Sequence, residues 1–180
     1  MLEDGSVDAV TTRSVLIYVS AKQGAFHEFH RVLAQAGELS LFEPINRFAF
    51  PEPEDRFEGY DVTPVVDLAE KLKAHYSRFQ PLDTDPMTDF DERDLVRQVE
   101  RAGFSEIHLE LQAFVKPLED GDWSSFLNAA YNPKIPTLAE AMGEALTPAE
   151  TERFTAHLRP LVEARQGTHR LAVAYLWATK

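Results

Sequence analysis

Two sets of polar residues in this sequence have the types and positions of a ligand-binding site. Each set follows an apolar segment with the pattern of a β-strand: Thr12, Arg13 and Ser14 after the first, and Glu43, Asn46 and Arg47 after the second. In layered α/β proteins ligands bind outside the carboxyl ends of the strands, where hydroxyl, guanidinium, carboxylate and amide groups can hydrogen-bond a polar molecule. The pattern predicts a cleft bordered by both sets. A structural alternative stays open, in which Arg13 forms an ion pair and Asn46 shapes a turn.

A third candidate, His27-Glu28-Phe29-His30, contains metal-binding residue types. Zinc proteases use His-Glu-x-x-His, which places both imidazoles on one helix face at i and i+4. The spacing here is i and i+3, and no third ligand is recognisable in the sequence. We therefore predict no metal site. No other histidine has a serine or carboxylate at an informative spacing, so the catalytic residue is left unknown.

The composition describes one acidic α/β domain rather than a nucleic-acid or membrane protein. The chain has 180 residues, is 44% hydrophobic and carries a net charge of −12, which opposes binding to phosphate backbones and anionic lipids. It has no cysteine, no signal-peptide pattern at its start and no apolar run of the roughly 20 residues that cross a bilayer. We expect a soluble, cytoplasmic protein without nucleic-acid or membrane partners.

Three strands carry the two polar sets or lie beside them. The β-branched residues from Val7 onward predict a strand covered on both faces, and Glu38–Glu43 is a strand that Pro44 ends. The last strand, His169–Ala178, is apolar on both faces and therefore central.

The helices between these strands are predicted from apolar spacing and from their end signals. Ser20 and Gln23 have the spacing of a capping box, and Gly37 predicts the end of that helix. Other predicted elements are a helix from Thr63-Pro64 to before Pro81, a helix ending at Gly103, an alternating edge strand over 107–115, short helices over 122–131 and 137–146, and a helix capped by Thr147 and Glu150. Strands that alternate with helices predict an α/β fold with a mostly parallel sheet.

Three segments in order, 3–19, 29–48 and 95–114, resemble the second half of the class I S-adenosylmethionine (SAM)-dependent methyltransferase domain. An acidic-Gly-Ser-apolar-Asp segment, here Glu3–Asp8, introduces the fourth strand of that family. Arg31–Gly37 resembles the Arg-Val-Leu-x-x-Gly-Gly that leads to the fifth strand, with Ala36 in place of the first glycine. Ala102-Gly103-Phe104 resembles the opening of the sixth strand, and 169–178 resembles the antiparallel seventh.

The resemblance implies a partial Rossmann-like sheet with strands four, five, seven and six in that order, mostly parallel with the last strand antiparallel. It implies a single partial domain over residues 1–180, with helical insertions at about 47–88 and 116–166. It assigns Thr12, Arg13 and Ser14 to the methionine end of the cofactor. It places Trp123 and Tyr131 in an insertion where family members often have a substrate lid, although a satellite apolar core is the alternative.

The resemblance omits most of the cofactor site. The family's glycine-rich loop and its acidic ribose and adenine contacts would precede residue 1, and no two glycines here are two positions apart. We therefore expect SAM binding only if the missing half is supplied, with methyl transfer to a small, partly apolar molecule. The absent first strand would leave the strand near Val7–Thr12 as an open edge, which predicts pairing with a separate N-terminal half or a second copy. The alternative is a non-catalytic half-domain that serves as a partner or scaffold.

Overall fold

A computed structural model describes residues 2–130 and 132–180. In chain order its strands and helices are β1 (Val7–Arg13), α1 (Lys22–Val32), β2 (Leu33–Pro44), β3 (Arg56–Phe57), β4 (Tyr60–Asp61), α2 (Val66–Tyr76), α3 (Glu92–Ala102), β5 (Ser105–Pro117), α4 (Trp123–Asn128), α5 (Leu138–Ala145), α6 (Pro148–Glu163) and β6 (Thr168–Thr179). Single 3₁₀ turns lie at Leu16–Tyr18, Asn46–Phe48 and Thr63–Val65.

The chain forms two compact units. The first, called the sheet unit below, comprises Met1–Phe50, Asp83–Ala113 and Leu171–Lys180. The second, the helical unit, comprises Pro51–Leu82 and Phe114–Arg170.

The sheet of the first unit has the strand order β1-β2-β6-β5. β1 and β2 are parallel, and β2 and β6 are antiparallel. The Ser105 hydroxyl at the start of β5 donates to the carbonyl of Thr179 at the end of β6, so β5 also runs against β6. Three strands therefore run one way and the last strand runs the other way. The predicted order of family strands four, five, seven and six is confirmed.

One face of the sheet is covered by α1 and α3 and forms the apolar core of this unit. Phe26 of α1 and Leu95 of α3 have no exposed surface and pack with Leu39 and Leu176 of the sheet. Side chains of the opposite face are exposed, and Trp177 keeps 46% of its surface accessible.

The helical unit has its own apolar core, built by α2, α5 and α6 with the β3–β4 hairpin. Its members include Phe57, Leu68, Met142 and Phe154. The predicted capping box of Thr147 and Glu150 is confirmed, and so is the helix start at Pro148.

Two predictions near the candidate site are wrong. β1 is not covered on both faces, because it lies at the edge of the sheet and most of its residues are exposed. Gly37 does not end a helix: α1 ends at Val32, and Gly37 lies inside β2. A Cβ atom at Gly37 would lie 2.8 Å from the carbonyl oxygen of Ala34, so the glycine permits a close backbone approach instead.

The Ser20–Gln23 capping box is also wrong. The N-cap of α1 is Ala21, which makes no side-chain capping bond. The Gln23 amide donates instead to the carbonyl of Gln98, and so ties α1 to α3.

Candidate functional site

The two predicted polar sets meet at the carboxyl edge of the sheet, because β1 and β2 are parallel neighbours. Arg13 pairs with Phe42 in the register, and the N–H of Ser14 donates to the carbonyl of Phe42 at 2.8 Å. The guanidinium of Arg13 lies 4.9 Å from the centre of the Phe42 ring. Phe42 in turn contacts Tyr175 edge to face, with ring centres 5.1 Å apart. Arg13 therefore extends a row of aromatic rings on the exposed face.

Thr12 and Arg13 point to opposite sides of the sheet, since successive strand residues alternate. The hydroxyl oxygen of Thr12 is buried, and it has no hydrogen-bond partner among the described residues. The two side chains cannot bind one ligand from the same face. Thr12 as a cofactor contact stays a prediction.

Glu43 lies on the covered face and is bound by main chain of the loop that follows β1. Its Oε1 accepts hydrogen bonds from the N–H groups of Val15 and Leu16, each at 3.0 Å, and its Oε2 accepts from Ile17 at 3.3 Å. None of its surface is exposed. As a substrate contact Glu43 stays a prediction, although in this structure both of its oxygens already accept from main chain.

Asn46 and Arg47 contact the segment 83–90, which we call the strap. The amide of Asn46 donates to the carbonyl of Met87 at 2.9 Å, and Arg47 pairs with Asp83 at 3.0 Å. Both residues as substrate contacts stay predictions.

A third anchor of the strap is Lys22, which sequence reasoning missed. Its Nζ lies 2.6 Å from the Asp89 carboxylate and 2.9 Å from the Pro86 carbonyl, and 4.6 Å from the centre of the Phe90 ring. Only 4% of the Lys22 side chain is exposed. A lysine at the start of a helix that faces an acidic segment far along the chain gives no local signal, so only the fold reveals this contact.

An open cleft of about 300 Å³ lies beside Arg47 in the sheet unit. Its lining combines apolar and acidic side chains: Ile45, Arg47, Phe48, Asp91, Glu92 and Leu111. This volume is at the lower end of the range for small-molecule sites. The Asp91 carboxylate is already used, because it caps α3 by accepting from the N–H groups of Arg93 and Asp94.

Two predicted substrate residues remain, Trp123 and Tyr131, and only Trp123 is among the residues that the structure describes. Trp123 is half-buried and stacks on Phe126 with ring centres 5.7 Å apart, against the core of that unit. Tyr131 lies outside the described residues. The lid role of both stays a prediction.

Glu58, in the helical unit, has a strongly raised pKa. Burial raises the pKa of Glu58 to about 7, and the nearby Glu52 carboxylate adds to the shift. Glu58 lines a cavity of about 20 Å³ together with Tyr76 and Phe126. This volume holds about one water molecule, so we assign no ligand to it.

Within residues 2–130 and 132–180, no three or more histidine, aspartate or glutamate side chains come together in a way that would hold a metal ion. None of the described helices has both the length and the apolar character needed to span a bilayer.

The strand order and the polar residues at the carboxyl edge agree with the sheet that the resemblance to methyltransferases implies. Residues 1–41 match the family model described as "Methyltransferase domain". This match agrees with the resemblance to methyltransferases over the first of the three segments. No curated protein matches the chain.

Solved structures with similar folds have low sequence identity to the chain. The YcgJ protein of Bacillus subtilis is 13% identical, with a TM-score of 0.48 over 99% of this chain and 66% of its own. Phosphoethanolamine N-methyltransferase 2 of Haemonchus contortus, solved with phosphomonomethylethanolamine and S-adenosylhomocysteine, is 10% identical, with a TM-score of 0.45 over 100% of this chain and 35% of its own. An arsenic(III) SAM methyltransferase of Chlamydomonas reinhardtii is 14% identical, with a TM-score of 0.43 over 98% of this chain and 38% of its own. The chain thus spans between about a third and two thirds of these three proteins.

Proposed function

We propose that this chain takes part in SAM-dependent methyl transfer to a small, partly apolar molecule, as the second half of a methyltransferase domain. The observation that carries the proposal is the family match, because residues 1–41 contain all three predicted cofactor residues, Thr12, Arg13 and Ser14. The chain's lack of cysteine agrees with a cytoplasmic location.

Of the three residues, Arg13 fits the methionine end of SAM best. It makes no ion pair with any described residue, and its guanidinium is held over the Phe42 ring at the carboxyl end of β1. A guanidinium binds a carboxylate in a fixed, two-pronged geometry, and the methionine end of SAM carries a carboxylate. Asn46 and Arg47 would border the substrate side, beside the cleft.

The sulfonium of bound SAM supplies a strong electrophile, so this chain's residues have to align the acceptor and exclude water rather than activate the methyl group. Ile45, Phe48 and Leu111 give the cleft apolar walls that suit this task. We assign no general base.

The missing contacts would come from a polypeptide that pairs with β1. β1 has β2 on one side only, so its other edge presents main-chain N–H and C=O groups without a strand partner in the described sheet. Two strands away from that edge, the exposed face of β6 carries Tyr175 and Trp177, with 38% and 46% of their surfaces accessible. We propose that a glycine-rich first half, or failing that a second copy of this chain, covers this edge. A well-folded monomer at tens of micromolar in light scattering would contradict the pairing.

Calorimetric titration with S-adenosylhomocysteine tests the cofactor proposal. We expect binding by the assembly that contains the first half, and a loss of about tenfold or more in affinity for Arg13→Ala, because a charged hydrogen bond is removed. Arg170→Ala, at an exposed arginine of the helical unit, is the matched control and should leave the affinity unchanged.

The second candidate function is a non-catalytic half-domain that serves as a protein partner. The absence of any glycine pair two positions apart favours it, because such a turn lets backbone approach a nucleoside. An assembly that forms through β1 and yet binds no S-adenosylhomocysteine would support this candidate over the first.

A further inference from the structure

The loop between β1 and α1 has the backbone geometry of an anion-binding site. Ser14 is left-handed, with φ of 52°, and Val15 is right-handed, with φ of −105° and ψ of −46°. Successive main-chain N–H groups in a turn of this kind can converge on one point and form a concave site for an anion. The N–H groups of Val15, Leu16 and Ile17 all point to the Glu43 carboxylate.

The anion in this site is therefore a side chain of the protein itself. Glu43 is completely buried at the end of β2, and its two oxygens take all three N–H groups. A carboxylate that accepts several main-chain hydrogen bonds away from water is strongly held, since its removal would leave the donors buried and unpaired.

The same contact holds an unfavourable backbone conformation. A left-handed serine is disfavoured by its Cβ atom, and it persists where the surroundings fix it on both sides. Ser14 is fixed by its N–H bond to Phe42 on one side and by the Glu43 contacts that begin at Val15 on the other.

We propose that Glu43 is the positioning residue of the candidate site: its carboxylate permanently fills the anion-binding loop 14–17 and thereby sets the direction of Arg13 and Ser14 at the carboxyl end of β1. Glu43 then acts through the loop and does not contact the substrate. The importance of Glu43 for methyl transfer rests on the proposed function. The occupation of loop 14–17 by its carboxylate does not, because it follows from the hydrogen bonds of the structure.

Chemical rescue tests the proposal without any cofactor. Glu43→Ala leaves a cavity lined by three N–H donors, which a formate ion fits in size and charge. We expect Glu43→Ala to lower the melting temperature by about 6–12 °C, given three unpaired donors and the size of the chain. Sodium formate should restore at least half of this loss, whereas sodium chloride at equal ionic strength should not. Glu38→Ala, at an exposed glutamate of the same strand, is the matched control and should gain nothing from formate.

Amide hydrogen exchange locates the effect. The N–H groups of Val15, Leu16 and Ile17 should lose protection in Glu43→Ala and regain it with formate. If Glu43→Ala does not fold, Glu43→Gln serves instead, because its single carbonyl oxygen keeps some of the contacts and should give a partial loss of protection at the same amides. Unchanged protection in either variant, or equal gains from formate and chloride, would overturn the proposal. Loss of cofactor binding with an intact rescue would instead count against the proposed function.

Discussion

The buried ion pair that holds the strap should contribute measurably to stability. Lys22 is 4% exposed and Asp89 is 23% exposed, and their charged atoms are 2.6 Å apart. Lys22→Met keeps the length of the side chain but leaves the Asp89 carboxylate and the Pro86 carbonyl without their donor. Breaking one partner of a fully buried pair costs 3–5 kcal/mol, so with Asp89 partly exposed we expect a loss of about 2–4 kcal/mol in the free energy of unfolding.

A double-mutant cycle with Asp89→Asn, measured by urea unfolding, should give a coupling energy of about 1–3 kcal/mol between the two residues. The matched control lies in the same strap: Arg47 and Asp83 are 37% and 87% exposed, and their coupling should stay below about 1 kcal/mol. Hydrogen exchange should show that residues 83–90 open first in Lys22→Met. Equal coupling in the two pairs, or a strap that stays protected in Lys22→Met, would refute this reasoning.

Three further substitutions in the helical unit should change stability in directions that follow from the structure. The folded protein keeps Glu58 protonated up to about pH 7, whereas the unfolded chain releases that proton near the ordinary value of 4.5, so stability should fall as pH rises between these values. Glu58→Gln should remove this fall in stability. In urea unfolding at pH 8 we expect the variant to gain about 1–2 kcal/mol in the free energy of unfolding, less than full burial would give, because the side chain is partly exposed. An equal gain at pH 4 would contradict the raised pKa of Glu58. Gly59→Ala should cost about 3 kcal/mol or more, because φ is 81° and the new Cβ would lie 2.1 Å from the carbonyl oxygen of Thr168. Gly143→Ala, in α5 with nothing within 4 Å of the new Cβ, should instead stabilise by about 0.5–1 kcal/mol in the same assay, and a loss at both glycines would contradict the local explanation.

The sequence predicted those elements whose signals are local. The capping box of Thr147 and Glu150 and the left-handed Gly103 after α3 are short-range chemistry, and both are confirmed. The position of β6 between β2 and β5 was also predicted from its apolar residues, although only one of its faces is covered.

Predictions that depended on distant neighbours were less successful. β-branched residues in β1 have the pattern of a buried strand, yet burial depends on which strand lies beside it, and β1 is at the sheet edge. Gly37 has the type of a helix stop, but its close backbone neighbours place it within a strand.

The candidate site shows the same division. Its location at the carboxyl ends of two strands could be predicted, because that rule concerns topology. The hydrogen-bond partners of Glu43 could not be predicted. A glutamate at the end of a strand gives no sign that it will accept hydrogen bonds from main-chain N–H groups 26 to 28 residues earlier. The strap contact of Lys22 spans 67 residues and was equally invisible in the sequence.

The central claim is that this chain takes part in SAM-dependent methyl transfer together with a polypeptide that pairs with β1. Its most direct test is a thermal-shift measurement with S-adenosylhomocysteine on two samples. One is the 180-residue chain alone, and the other is the chain purified from its own source under native conditions, with the polypeptide bound at β1. A ligand that binds only the folded state raises the melting temperature of the protein that contains its site. The account predicts a rise in the native assembly that Arg13→Ala reduces, and no rise for the chain alone. An equal rise in both samples would show that this chain contains the whole cofactor site, and no rise in either would contradict a role in SAM-dependent methyl transfer.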